Sequence, residues 1–60
     1  MVNLLEQASR ILADAHQLKS ILERDVEKLS THEVMIVRML MQSIRENLDQ
    51  IEYHLSLVWR

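Results

Sequence analysis

With 60 residues, the chain suffices for one domain but is too short to bury a core that comfortably offsets its own conformational entropy. It contains no cysteine, glycine or proline, which excludes disulfides and thiolate metal sites and leaves little material for β-turns. The formal net charge of −2, with charges of both signs mixed along the chain, is not the strongly basic balance of a general nucleic-acid binder.

Leu, Glu, Gln, Arg, Met and Ala are plentiful, and all favour helix. The only aromatics are Tyr53 and Trp59. The composition therefore predicts an all-α protein. No apolar run approaches the ~18 residues of a membrane span. Glu6, Arg10 and Asp14 interrupt the N-terminal stretch where a signal peptide would need an apolar run. The expected location is the cytoplasm, with no membrane partner.

The first predicted element is a helix over about residues 2–28. Its apolar seam runs Leu4, Ala8, Ile11, Ala15, Leu18, Leu22, Asp25, Leu29. Leu5, Leu12 and Val26 flank that seam, giving a stripe broad enough for a bundle. Asp25 is the polar interruption, with three readings: wet at a frayed end, paired with Arg38, or fixing register.

The break comes at residues 29–31. Ser30 followed by Glu33 is a capping box, which starts a helix. Lys28 suits the negative C-terminal end of the helix before it. The second helix is predicted over about 32–59. It carries an uninterrupted heptad ladder: Val34, Val37, Met41, Ile44, Leu48, Ile51, Leu55 and Val58. So short a connection forces the two helices antiparallel. In the expected register Ala8 faces Ile51 and Ala15 faces Ile44, small against large.

A two-helix hairpin covers one side of each stripe. Leu5, Leu12, Val26 and Trp59 are the expected dimer interface, and two hairpins are expected to form an antiparallel four-helix bundle. A second apolar group, Met35, Ile36 and Met39, points away from the seam. With Tyr53 and Leu57 it forms the expected surface for an unidentified protein partner. Lys19, Arg38 and Arg45 share a flank, and doubled by symmetry they define the alternative, an RNA contact. Glu52 continues that flank, and no stacking aromatics accompany it.

His16, His32 and His54 show no metal-ligand spacing, and no Glu-x-x-His pair occurs. The serines lack a histidine–carboxylate arrangement, and phosphate-loop and dinucleotide motifs are absent. The expectation is no cofactor, no metal and no catalysis.

In length and hairpin patterning the chain is similar to the Rop-type plasmid RNA-binding regulators, to the hairpin co-chaperones of type III secretion and to small phage-encoded inhibitors. The likeness lies in layout alone and transfers no functional residue. The sequence reading is thus a small homodimeric adaptor, regulator or stoichiometric inhibitor that binds a protein. The alternatives are a Rop-like RNA-binding regulator and an oligomerisation segment of a larger assembly.

Overall fold

The computed structural model describes residues 3–59. Helix α1 spans Leu4–Leu22 and helix α2 spans Thr31–Val58, joined through one 3-10 turn at Val26–Lys28. The helices pack against each other as an antiparallel hairpin, and no strand occurs among the described residues.

Asn3 caps α1, its side-chain oxygen accepting the Glu6 backbone N–H at 3.1 Å. This satisfies one of the free donors at the helix start. The helix stops at Leu22, well short of the expected residue 28. Asp25 is the reason. Its backbone is extended, and its carboxylate accepts the Glu27 N–H at 3.1 Å, capping the 3-10 turn. A short polar side chain that bonds nearby backbone competes with helix continuation. Asp25 therefore neither joins the helix 1 seam nor pairs with Arg38; it belongs to the connection.

That connection uses no positive φ angle among the described residues. Leu29 and Ser30 are extended and lead directly into α2. A chain without glycine can turn here because the reversal is spread over a 3-10 turn and extended residues.

The capping box forms as the sequence implies. Ser30 Oγ accepts the Glu33 N–H at 3.1 Å, and the Glu33 carboxylate accepts the Ser30 N–H at 3.2 Å. Arg24 reaches across the connection to the same carboxylate. The backbone bond from Ser30 is the main cause that holds the Glu33 carboxyl below its ordinary pKa of 4.5. Burial opposes it as the next largest influence, and the Ser30 hydroxyl and the Arg24 and His32 charges each add a smaller lowering. A depressed carboxyl contributes stability above its unfolded pKa and loses it as pH falls through the folded value. Helicity should therefore decline on acidification below pH 4.5. Glu33→Gln, which preserves the capping geometry, should decline less. Coincident circular-dichroism titrations would rule out this role for Glu33.

Side chains of α1 turned toward α2 are Leu4, Gln7, Ile11, Asp14, Leu18 and Ile21, spaced three and four apart. Opposite them lie Ile36, Leu40, Ser43, Asn47, Ile51 and His54. Leu40 is the one buried hydrophobic residue among those described. Two polar pairs cross the seam: Gln7 Nε2 donates to Gln50 Oε1, and Ser43 Oγ donates to Asp14 Oδ2 at 2.8 Å. Gln7 is itself buried, and its Oε1 has no hydrogen-bond partner among the described residues.

This seam is rotated from the expected one. Ala8 and Ala15 are exposed, so the small-against-large layers do not close the hairpin. The heptad ladder of α2 is only grazed by α1. Val37, Ile44 and Ile51 are half-buried, while Val34, Met41, Leu48 and Leu55 remain exposed.

Candidate interaction surface

The hairpin measures 46 × 17 × 15 Å. Its radius of gyration is 14.2 Å, against about 10 Å for a compact globule of this length. Its accessible surface is 5232 Å², roughly 1,100 Å² above the ~4,100 Å² expected of a compact chain of this mass. Two helices side by side form a single layer, and a single layer leaves two broad faces open.

One face is apolar along most of its length, with Lys19 and Glu23 entering it near the turn. On α1, Leu5, Ala8, Leu12, Ala15 and Leu22 fall on one flank of the seam; on α2, Val34, Met41, Leu48 and Leu55 do the same. Because the helices run antiparallel and both are right-handed, these flanks lie on the same side of the hairpin. Leu5 is 76% exposed, Leu12 59% and Leu48 49%. A shallow groove lined by Ala15, Leu18, Lys19, Leu22 and Glu23 indents this face near the turn. Contiguous apolar patches of this extent are rare on monomers and mark places where another surface sits.

The opposite face is mainly polar. Arg10 pairs with Glu6 at 3.2 Å, and Gln42 donates to Glu46 at 3.1 Å. Met35, Met39, Tyr53 and Leu57 emerge among such groups as exposed side chains. Tyr53 makes an edge-to-face contact with His54, ring centroids 5.5 Å apart. Ile36 does not stand with them, because it is half-buried in the seam between the helices.

Comparison with protein-family models, curated proteins and solved structures finds no match to this chain.

Of the residues expected at a dimer interface, Leu5 and Leu12 lie on the apolar face. Val26 is exposed on the 3-10 turn, and Trp59 is exposed where α2 ends. The basic residues do not form one strip. Lys19 borders the apolar face on the α1 side and pairs with Glu23 at 3.9 Å. Arg38 and Arg45 border it on the α2 side, exposed and without an ion pair among the described residues. No group of three or more His, Cys, Asp or Glu residues is placed to hold a metal among the described residues. No helix is long and apolar enough to cross a membrane there.

Gln7, Asp14, Ser43 and Gln50 are structural residues that the ladder obscured. The available signal was spacing: Gln7, Asp14 and Ile21 recur at heptad intervals beside the apolar seam. The stripe of Gln7, Asp14 and Ile21 faces α2, and the apolar stripe beside it stays on the open side of the hairpin.

Proposed function

We propose that this chain is a non-enzymatic interaction module whose working form is two hairpins joined through their apolar faces. The observation that carries this reading is the placement of the uninterrupted ladder. Half of that ladder, Val34, Met41, Leu48 and Leu55, is exposed on the open side, and Val37, Ile44 and Ile51 are only half-buried, while two polar pairs take up space in the closed seam around Leu40. A hairpin meant to stand alone would be expected to bury the apolar line and expose the polar one.

The open surface of the whole hairpin supports the same reading. The surface in excess of a compact chain is of the order of the ~800 Å² per partner that a standard stable interface covers. Two hairpins facing each other form a four-helix bundle with the ladder at its centre.

In such a bundle Met35, Met39, Tyr53 and Leu57 stay on the outside. Methionine adapts to partner shape and tyrosine anchors binding hot spots, so this outer face is the proposed site for a protein partner. The role is that of an adaptor, regulator or stoichiometric inhibitor acting by occupancy.

Light scattering on a sizing column tests the first step. The expected result is a mass twice the 7.1 kDa of one chain, held across a wide concentration range. A helical monomer at all concentrations would overturn self-association. Once a protein partner is captured, Met35→Glu with Met39→Glu should abolish that capture and leave the doubled mass intact.

A further inference from the structure

Two identical hairpins can stack their apolar faces in two ways that keep every neighbouring helix antiparallel. The turns lie either at the same end of the bundle or at opposite ends. The residues bordering the open face distinguish the two.

The polar pairs set the levels. Gln7 lies across from Gln50 and Asp14 across from Ser43. By the same register Leu5 is level with Glu52, Leu12 with Arg45, and Lys19 with Arg38. These six residues recur at heptad intervals, three on the outer rim of each helix, and each rim would touch a neighbouring helix of the second copy.

With the turns at the same end, α1 of one copy lies beside α2 of the other, at matching levels. Lys19 would then meet Arg38, Leu12 would meet Arg45, and Leu5 would meet Glu52, each of them twice. That arrangement sets Lys19 against Arg38 twice and Leu5 against the Glu52 carboxylate, whose short stem covers little apolar surface; only Leu12 beside the Arg45 stem is well served.

With the turns at opposite ends, like helices become neighbours. A two-fold axis at the level of Leu12 and Arg45 sets Leu12 against Leu12 and Leu5 against the aliphatic stem of Lys19, which covers apolar surface well. On the other side Arg38 meets Glu52 twice, and Val34 and Met41 come level with Leu55 and Leu48. One like-charge meeting remains, Arg45 with Arg45, at the solvent-exposed rim where long side chains diverge.

We propose that a second copy of this chain covers the apolar face with its turn at the opposite end, α2 against α2, and Arg38 of each copy paired with Glu52 of the other. The proposal rests on the self-association argued above, and its test separates the two.

Arg38→Glu alone and Glu52→Arg alone should each weaken the homodimer about tenfold, since two opposite-charge contacts become two like-charge contacts. An equimolar mixture of the two variants should recover wild-type affinity as a heterodimer, which also verifies that each variant folds. Because the chain lacks cysteine, single nitroxide labels at Arg45→Cys and, separately, at Ser56→Cys report distances without ambiguity. The Arg45 labels should lie close together, while the Ser56 labels should be offset along the bundle by about 33 Å. A dimer with equal distances at the two positions and no recovery on mixing would overturn the opposed arrangement while leaving self-association standing. A wild-type chain that stays monomeric would overturn both.

Discussion

Leu48→Glu is expected to hold the chain at the mass of a single copy at concentrations where the wild type is double. Leu48 sits midway along the exposed ladder and retains half of its surface for burial. Losing that burial removes about 1 kcal/mol per copy. A carboxylate at the same layer adds a penalty of several kcal/mol when desolvated without a counter-ion. Together these amount to about 5 kcal/mol per dimer, more than a thousandfold in dissociation constant. Met39→Glu, on the opposite face and 68% exposed, is the control and should leave the mass unchanged. An undiminished dimer in Leu48→Glu would show that the ladder is not the contact.

Leu40→Ala is expected to have the largest effect on the hairpin itself. Leu40 is 8% exposed and faces α1. Truncating a buried leucine destabilises by about 2–5 kcal/mol. A domain this small holds only about 3–5 kcal/mol in total. Thermal unfolding followed by circular dichroism should therefore lose its cooperative transition. Met39→Ala, its exposed neighbour, should stay within about 0.5 kcal/mol of wild type. A Leu40→Ala chain that melts like wild type would place the centre of the fold elsewhere.

Much of the fold was legible before the structure. Absence of glycine and proline pointed to helices, and Ser30 with Glu33 marked the start of α2. The structure has both capping-box bonds in place and α2 running Thr31–Val58. The end of α1 was not legible. Asp25 and Leu29 fall on heptad positions, so periodicity carried the helix past Leu22, whereas Asp25 caps a turn of its own. Local side-chain bonding outweighed pattern there.

The direction of the seam was also hidden. A ladder of heptads marks an apolar stripe, but not which side of that stripe the other helix takes. The cross-helix pairs of Gln7 with Gln50 and Asp14 with Ser43 place α1 beside the ladder of α2 and not squarely on it. The same rotation explains Ile36. It neighbours Met35 and Met39 in sequence, yet its place on the wheel turns it toward α1.

Those cross-helix pairs also act as a vernier that opposes sliding of one helix along the other. An apolar seam alone would tolerate a slip of one heptad, because leucine against isoleucine repacks at modest loss. Here, moving α2 by seven residues one way brings Ile36 to the level of Asp14. Moving it the other way brings Leu57 to the level of Gln7. Either slip sets a polar group against hydrocarbon, and the slip that strands the buried Gln7 costs the more, about 1–3 kcal/mol. In so small a protein that is a large fraction of the total stability, so the two glutamines, the aspartate and the serine confine the hairpin to one alignment that its leucines and isoleucines could not select.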